Sequence, residues 1–338
     1  MSINLSDIAQ RAGVSPATVS RALNGKEGVR PATRDRILAI AQELQLAALQ
    51  NAHTMPRTET ICYVVHQRHA PLEVDPFYPV IMHGVEAELS KHGYHLLLTT
   101  ISDEQMKSAA QFKPVAENRV DGVILAGPDI RAEFIAELKE MDIPVVLVDN
   151  FPSTVVVDTI NSDDVQGGRL ATEHLRSHGH RSIVALLGPA VWHSSALRGD
   201  GYRAVMEAAG LPTHLFHAED TTFETGKQLM REALQAVPDL TAVFAANDAM
   251  ALGAIRTLMQ QQKRVPEDVA VIGFDDTNLG AMSTPSLSTV KIYTAELGRL
   301  AALRLLDALT GREMPAIRTL VSTTLIPRYS CGCVSQEE

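Results

Sequence analysis

The sequence predicts an α/β protein in which a small all-α helix-turn-helix headpiece precedes a two-lobed core with parallel sheets. Capping residues and apolar spacing predict three short helices within the first 44 residues. From residue 61, short apolar runs alternate with amphipathic helical stretches, as in parallel sheets that helices cover on both faces. A chain of 338 residues with 45% hydrophobic residues is long enough for two or three packed domains.

The first two helices are predicted by their capping residues. Asn4 is suited to cap the start of a first helix, and Gly13 is suited to end it in the left-handed conformation. Ser15 then caps a second helix whose first position is Pro16, where a missing N–H costs nothing. Such a pair is typical of a helix-turn-helix, whose second helix lies in the major groove of DNA. By spacing alone, a helical hairpin that binds no nucleic acid is the alternative.

Residues 7–25 read Asp-Ile-Ala-x-x-Ala-Gly-Val-Ser-x-x-Thr-Val-Ser-Arg-x-Leu-Asn-Gly. This stretch resembles the DNA-binding headpiece of the lac repressor/galactose repressor family, and the match covers residues 4–44. Charge agrees with it, because residues 1–57 carry seven Lys and Arg against four Asp and Glu. The rest of the chain carries 23 Lys and Arg against 36 Asp and Glu, a net charge of −13, which with +3 for residues 1–57 gives the overall −10. The negative charge therefore belongs to the core, and only the basic N-terminal module needs to approach phosphates.

The second helix supplies most of the candidate DNA contacts. Pro16, Ala17 and Arg21 are the candidates for base edges, and Arg21 is able to pair with guanine. The candidates for phosphate contact are Ser15, Thr18, Ser20, Asn24 and Arg30. The expected partner is a near-palindromic double-stranded operator, because two recognition helices of a homodimer would lie one turn or a multiple apart.

The hinge between headpiece and core departs from the family. Relatives typically carry Tyr-x-Pro-Asn and then a short helix whose Leu wedges into the minor groove and kinks the DNA. The corresponding residues here are Leu46, Ala48, Leu49, Met55 and Pro56. Met55 falls where the wedge belongs and is included among the DNA contacts, but whether this hinge kinks DNA stays open.

Seven apolar runs predict the strands of the core. They are Ile61–Val65, His95–Thr99, Gly122–Ala126, Val145–Val148, Ile183–Leu187, Ala242–Ala246 and Val269–Phe274. Helical stretches are predicted near residues 78–92, 104–118, 131–141, 165–178, 196–209, 223–236 and 248–262. Ligands of such folds bind at the carboxyl ends of the strands, and two lobes offer a cleft between them.

The core also resembles the family, whose core is similar to a periplasmic sugar-binding protein. The matching stretches are residues 75–78, 120–124, 144–149, 174–180, 198–202, 246–253 and 265–276. The expected division is a headpiece at 1–45, a hinge at 46–60, a core at 61–330 and a tail at 331–338. By the resemblance the lobes exchange strands. Lobe 1 is then about 61–158 with 291–320, and lobe 2 about 159–290 with 321–330.

The resemblance implies an effector site in the cleft. Arg198 matches an arginine that reaches the effector's oxygens, and a guanidinium suits vicinal hydroxyls or a carboxylate. Asp276 matches an acidic acceptor of hydrogen bonds. Asp149 and Asn247 match polar positions at strand ends, although helix capping and turn formation explain them equally well. Phe77 and Tyr78 match aromatic positions that cover the ligand.

One part of the site departs from the family pattern. Many relatives place an aromatic residue after Gly-Asp, whereas Thr221 follows Glu-Asp here. Phe223 could substitute for it, and so could Trp192, the single tryptophan, which lies in a loop that lines the pocket in relatives. The predicted effector is a sugar or sugar acid, and a nucleoside or purine effector is the alternative within the family. Whether the effector induces or co-represses is not written in the residues.

Other protein classes fit the sequence less well. A solute-binding transport component would share the two-lobed core but would need a signal peptide and would not carry residues 1–57. An enzyme is not expected, since no nucleophile elbow, phosphate loop or dinucleotide fingerprint is present. We expect no membrane segment, a cytoplasmic location and, without a C-terminal heptad run, a homodimer.

The sequence predicts no metal and no cofactor. Cys62, Cys331 and Cys333 form no recognisable framework and are expected as free thiols, with Cys331-Gly-Cys333 in the tail. The neighbouring histidine pairs 92/95 and 178/180 lack further ligands at useful spacing. A chance arrangement is the expected explanation for these residues.

Overall fold

The computed structural model describes residues 12–15, 18–19, 22, 33–34, 36–37, 40, 57–69, 77–311 and 314–333. The chain divides into two compact units, Met1–Thr58 and Glu59–Glu338.

The described part of the first unit is a small helical cluster. Ala12, Val19, Ala22 and Ile37 are buried against one another, with Val14 and Ile40 partly buried beside them. Gly13 has a φ of +63°, as expected of the glycine that ends a helix. The backbone N–H of Thr18 donates to Ser15 Oγ at 3.2 Å, which is the geometry of an N-cap. The capping predicted from Gly13 and Ser15 is therefore confirmed.

The second unit contains two six-stranded sheets. In spatial order, the first sheet comprises β11 (Arg318–Val321), β5 (Asp158–Ser162), β4 (Val145–Val148), β3 (Gly122–Ala126), β1 (Thr60–His66) and β2 (His95–Ile101). The second comprises β12 (Thr324–Ile326), β10 (Ser288–Lys291), β9 (Ala270–Asp275), β8 (Ala242–Ala245), β6 (Ile183–Leu187) and β7 (His214–His217). Every pair is parallel except β10 with β12.

Helices connect the strands and cover the sheets. They are α1 (Tyr78–Lys91), α2 (Lys113–Ala116), α3 (Ala132–Glu140), α4 (Asp164–Ser177), α5 (His193–Ala208), α6 (Phe223–Ala236), α7 (Asp248–Gln260), α8 (Asn278–Met282) and α9 (Thr294–Leu309). Short 3₁₀ turns lie at Gln67–His69, Gln105–Lys107, Ala109–Gln111 and Tyr329–Cys331.

Both faces of the first sheet are buried. Along β1, Ile61 and Tyr63 pack into one apolar layer, whereas Cys62 and Val64 pack into the other. This alternation explains why the run Ile61–Val65 is apolar throughout, as is typical of a strand inside a parallel sheet. All seven predicted strands are present, and six of them lie inside a sheet, whereas β2 is at an edge.

The strand exchange between the lobes is visible in the sheet order, but one boundary differs. Strand β5 pairs in parallel register with β4 and so belongs to the first sheet as far as Ser162. The expected boundary at residue 158/159 would have cut this strand off. Backbone hydrogen bonds to β4 and β11 place β5 in the first lobe, although its sequence, Asp-Thr-Ile-Asn-Ser, is mostly polar. Strands β11 and β12 then return to opposite sheets within nine residues.

Two other expectations are wrong. The stretch 104–118 is not one helix but two 3₁₀ turns followed by the four-residue α2. Pro114 at the start of α2 cannot donate the backbone hydrogen bond of a helix interior. In addition, Cys331 is buried, so the core continues into the segment expected as a tail.

No helix among the described residues has the length and apolar character needed to cross a membrane.

Candidate functional site in the interlobe cleft

A cavity of about 300 Å³ lies between the two lobes of the second unit. It is lined by the residues after β4, the end of β5 and the first turns of α4 and α5. These lining residues are Asp149, Asn150, Phe151, Asn161, Ser162, Asp164, Val165, His193, Ser194, Leu197 and Leu320. Loops and helix starts meet here because the strands that lead into them are parallel, and open α/β folds bind ligands at this end of their strands.

The floor of the cavity contains a buried ion pair. Arg198 Nε donates to Asp164 Oδ1 at 2.8 Å, and the two side chains come from α5 and α4. Arg198 is 7% exposed and Asp164 is 4% exposed. Ser162 Oγ donates to the same carboxylate oxygen at 3.1 Å. Burial raises the pKa of Asp164, and the charge of Arg198 opposes that effect.

The guanidinium of Arg198 has three further neighbours. Its Nη1 donates to the carbonyl oxygen of Ala246 at 2.5 Å and lies 3.8 Å from Asp275 Oδ1. The Arg198 Cζ atom lies 3.9 Å from the centre of the Phe274 ring. Burial by itself lowers the pKa of Arg198, but the charges of Asp164 and Asp275 outweigh burial and raise it. Arg198 is therefore held in place from several directions.

Two glycines bring the carriers of this ion pair together. A Cβ atom on Gly168 would lie 2.2 Å from the carbonyl oxygen of Arg198, and one on Gly201 would lie 2.4 Å from that of Val165. Helices α4 and α5 therefore pack backbone against backbone. The pair Gly167-Gly168 thus serves helix packing, which sets the distance between Asp164 and Arg198.

Asp149 lines the cavity at the end of β4. Its backbone has a φ of 53°, and its Oδ2 accepts a hydrogen bond from Tyr78 Oη at 2.9 Å. Phe77 packs edge-on against Tyr78, with ring centres 5.2 Å apart. The structure therefore brings together Tyr78 and Asp149, which the sequence had assigned separately, and places Phe77 beside them.

Trp192 connects the two lobes. It precedes α5, is 8% exposed, and its Nε1 donates to Asp129 Oδ1 at 3.2 Å. Asp129 follows β3 of the first lobe, so this hydrogen bond spans the cleft. The ring is largely buried by its neighbours and lies beside His193, the first residue of α5.

A stacked aromatic pair lines the cavity near Trp192. The rings of Phe151 and His193 are nearly parallel, with centres 4.4 Å apart. The Arg318 guanidinium carbon lies 3.9 Å from the centre of the Phe151 ring. Burial lowers the pKa of His193, which favours its neutral form near pH 7.

Asn247 acts as a helix cap. Its Oδ1 accepts from the backbone N–H of Met250 at 2.8 Å, and its Nδ2 donates to the carbonyl oxygen of Thr221 at 2.9 Å. Both polar groups of the side chain are thus engaged within the protein. Of the two explanations open at this position, the geometry supports capping.

Asp276 lies in an ion-pair cluster. Its two carboxylate oxygens accept from Arg328 Nη2 at 2.5 Å and from Lys291 Nζ at 3.1 Å. Burial alone raises the pKa of Asp276, but these two cations outweigh burial and hold the pKa below its ordinary value. Asp276 does not line the described cavity.

Phe223 is the candidate that lies apart from the others. It begins α6 with 39% of its surface exposed, and its ring faces Lys227, whose Nζ lies 5.8 Å from the ring centre. It does not line the described cavity, so the geometry does not support its proposed substitution for the missing aromatic residue.

Sequence reasoning missed several residues of the site. Asp164, Asp275, Phe151 and His193 were not assigned, although they line the cavity or hold Arg198. A signal for Asp164 existed, because an Asp-Asp pair opens the helical stretch near 165. The hydrogen-bonding partner of Arg198, 34 residues away, could be identified only from the fold.

The DNA contacts fall mostly outside the described residues. Ser15 is exposed and Thr18 half-buried at the start of the second helix, and their hydroxyl groups lie 2.9 Å apart. The assignments that lie outside are Pro16, Ala17, Ser20, Arg21, Asn24, Arg30 and Met55.

Comparison with known proteins identifies the class. Residues 4–46 match the family model for bacterial regulatory proteins of the lacI family, and residues 172–331 match that for a periplasmic binding protein-like domain. The HTH-type transcriptional regulator CelR of Thermobifida fusca is 35% identical over 96% of each chain. The ribose operon repressor of Escherichia coli K12 is 32% identical over 96% of this chain and 99% of its own.

Solved structures agree with this assignment. The CelR–cellobiose complex has a TM-score of 0.74 at 34% identity, covering 97% of this chain and 99% of its own. The lac repressor dimer bound to operator and an anti-inducer has a TM-score of 0.71 at 26% identity, covering 98% and 99%. The chain belongs to the lacI family of bacterial regulatory proteins. It is a DNA-binding transcriptional repressor with a helix-turn-helix headpiece and a periplasmic-binding-protein-like core.

Proposed function

We propose that this repressor binds a near-palindromic operator as a homodimer and that a neutral carbohydrate in the interlobe cavity controls its operator affinity. The observation that carries the effector assignment is the cavity itself. It combines carboxylate, amide and hydroxyl groups with apolar side chains that supply most of its surface, the composition of a specific small-molecule site.

The charges favour a neutral sugar over a sugar acid. Asp149 and Asp164 line the cavity, and the nearby cation Arg198 is already paired with Asp164. A carboxylate oxygen can accept more than one hydrogen bond, so these carboxylates suit hydroxyl donors. A ligand carboxylate would face these two like charges, and the described lining residues include no cation, since Arg318 packs on Phe151 but does not itself line the cavity.

The size of the cavity favours a compact effector. About 300 Å³ is at the lower end of small-molecule pockets, which suits a monosaccharide better than an oligosaccharide. A lacI-family regulator from Enterococcus faecium with bound ribose has a TM-score of 0.70 against this chain at 27% identity. That structure and the CelR–cellobiose complex support a carbohydrate in this class of core.

The hydrogen bond between Trp192 and Asp129 offers a mechanical link to the operator. It spans the two lobes beside the cavity, so a ligand that changes lobe closure also changes this contact. In a dimer, movement of the lobes would alter the spacing of the two headpieces. Coupling of this kind is typically worth about 1–3 kcal/mol, a factor of roughly 5 to 150 in operator affinity.

Trp192 also provides the assay, because it is the only tryptophan. We would titrate full-length protein with neutral pentoses and hexoses, sugar acids and nucleosides, and record its fluorescence. A saturable change with one neutral sugar is expected, and the same sugar should change operator affinity. A response confined to sugar acids or nucleosides would refute the effector assignment.

A pair of charge-matched variants locates the binding site. Asp149→Asn removes a cavity carboxylate and should raise the effector Kd by about tenfold or more, since hydrogen bonds to charged groups contribute about 1.5–3 kcal/mol. Asp239→Asn removes an exposed carboxylate outside the cavity and should leave the Kd unchanged. Equal Kd values for both variants would place the effector elsewhere.

Operator recognition is tested separately. We would select genomic DNA fragments with the full-length protein and compare Arg21→Ala with Arg181→Ala, which removes an exposed charge from the core. A recurrent near-palindrome should be enriched by the wild type and by Arg181→Ala, and Arg21→Ala should lose specific over non-specific binding. An unchanged specificity ratio in Arg21→Ala would exclude Arg21 from base readout.

A further inference from the structure

Four sulfur and nitrogen donors converge where the C-terminal segment meets the last turns of α4. His174 and His178 lie one helical turn apart, so their side chains project from the same face of α4. Cys331 and Cys333 follow β12 and reach the same place from the other end of the chain. Sequence spacing paired His178 with His180, whereas the fold pairs it with His174.

The donor atoms of His174, His178 and Cys333 are within ligand-sharing distance of one another, and Cys331 lies beside two of them. Cys333 Sγ lies 2.8 Å from His174 Nε2 and 3.3 Å from His178 Nε2. Cys331 Sγ lies 3.4 Å from His174 Nε2 and 2.9 Å from Cys333 Sγ. Ligand atoms around a tetrahedral zinc ion lie roughly 3.3–3.8 Å apart, given bond lengths of about 2.0–2.3 Å. These four contacts would need to lengthen by less than about 1 Å to take up an ion, and Cys331 and His178 would need to move closer together.

Supporting contacts orient these donors. The Nδ1 atom of His178 lies 2.8 Å from the carbonyl oxygen of His174, which directs Nε2 towards Cys333 Sγ. Ser330 Oγ donates to the carbonyl oxygen of Val271 at 2.6 Å and anchors the chain next to Cys331. Supporting hydrogen bonds of this kind are usual around metal ligands.

An ion has a route to the cluster. Cys333 and His178 are exposed, whereas Cys331 is buried, so the cluster reaches from the surface into the core. A surface cavity of about 620 Å³ is lined by Cys331, Cys333 and His178. The ion could therefore enter without opening the fold.

We propose that His174, His178, Cys331 and Cys333 bind one thiophilic divalent cation, with zinc as the best match. Two thiolates and two imidazoles form a donor set of structural zinc sites, whereas magnesium and calcium prefer oxygen ligands. The bound ion would join the C-terminal segment to α4, the helix whose first residue is Asp164 of the effector cavity. The site therefore stabilises the core and ties its C-terminus to an element of the effector site.

The test uses full-length protein that has been reduced and stripped of metal with a chelator. We expect it to bind one Co²⁺ or Zn²⁺ per chain, and Co²⁺ to give intense visible bands and a thiolate charge-transfer band. Zinc should also raise the melting temperature, because an ion that binds only the folded state stabilises it. Absence of stoichiometric binding, or octahedral cobalt bands without thiolate charge transfer, would overturn the proposal.

Matched variants test the donor set. Cys333→Ser and His178→Asn change exposed side chains and should weaken zinc binding by at least about 100-fold, more than the loss of a supporting contact. His180→Asn and Cys62→Ala change a neighbouring histidine and a distant cysteine and should bind zinc as the wild type does. Unchanged affinity in the first pair would refute the assignment. A Cys331–Cys333 disulfide in zinc-loaded protein would also refute the assignment. Mass spectrometry would detect it as the loss of two hydrogen atoms.

Discussion

Replacing Arg198 with Met keeps much of the apolar stem of this side chain but removes its charge and its hydrogen-bond donors. Asp164 then stays buried with Ser162 as its remaining hydrogen-bond donor, and the carbonyl oxygen of Ala246 loses its 2.5 Å bond. The wild-type ion pair is almost fully excluded from water, with 7% and 4% exposure for its two residues. The substitution therefore leaves an unpaired buried charge.

The expected loss follows from that burial. Removing one partner of a buried ion pair costs about 3–5 kcal/mol. We add nothing for the lost contacts with the Ala246 carbonyl and the Phe274 ring, because the energies of neighbouring contacts are not additive. We expect Arg198→Met to lower the free energy of unfolding by about that amount. Asp164→Asn removes the stranded charge, so adding it to Arg198→Met should recover roughly 1–3 kcal/mol relative to additivity.

Urea denaturation followed by Trp192 fluorescence and circular dichroism measures these differences. Arg203→Met is the matched control, because Arg203 lies on the same helix with 42% of its side chain exposed. Its ion pair with Asp200 is at the surface, so its loss should change stability by about 0.5 kcal/mol or less. A loss below about 1 kcal/mol in Arg198→Met, or strict additivity with Asp164→Asn, would refute the role given to the buried pair.

Three further predictions concern pH dependence, helix packing and DNA bending. Burial raises the pKa of Asp248 to about 6 in the folded protein against an ordinary value of 3.8, so the folded state holds this proton more tightly than the unfolded state. The resulting stabilisation is present at low pH and is lost as pH rises through about 6, so Asp248 should lower stability by about 2 kcal/mol between about pH 4.5 and pH 7. Urea denaturation at both pH values measures the loss in free energy of unfolding between them, which should be smaller by that amount in Asp248→Asn than in the wild type. An equal loss in the two proteins would contradict the assignment. Gly168→Ala forces α4 and α5 apart, because the new Cβ would lie 2.2 Å from the Arg198 carbonyl oxygen, and should cost about 1–3 kcal/mol and weaken effector binding. If Gly168→Ala has the same melting temperature and effector Kd as the wild type, the close packing of α4 and α5 is not needed for stability or effector binding. Met55→Ala should reduce operator affinity and DNA bending. Equal bending in a phasing gel would show that this hinge has no wedge at Met55.

Local signals in the sequence were enough for much of the fold. Gly13 and Ser15 mark a turn and a cap through interactions within a few residues, so their roles could be predicted without a structure. Six inner strands were predicted because burial on both faces favours an apolar residue at every position. Strands β5, β7, β10, β11 and β12 were missed because they are three to five residues long and partly polar, although β5 and β10 lie inside their sheets.

The candidate site was predictable as a location and only partly as a set of contacts. Resemblance placed Arg198, Asp149 and Tyr78 at the cleft, and the structure has all three beside the cavity or its floor. The resemblance did not identify the residues that hold Arg198 in place, since its hydrogen-bond partners Asp164 and Ala246 are 34 and 48 residues away. Asn247 shows the reverse case, because its local capping role explains a residue that resemblance had offered to the ligand.

The sequence by itself determined the two-part organisation, the parallel core and the membership of a DNA-binding regulator family. Each of these depends on patterns among residues close in the sequence, which can be recognised without knowledge of distant contacts. Only the tertiary structure decided which side chains share a site. It paired Arg198 with Asp164, linked Trp192 to Asp129 across the cleft, and placed Cys333 beside His178, 155 residues earlier. Such pairings arise where strands and helices pack, so no local spacing in the sequence could encode them.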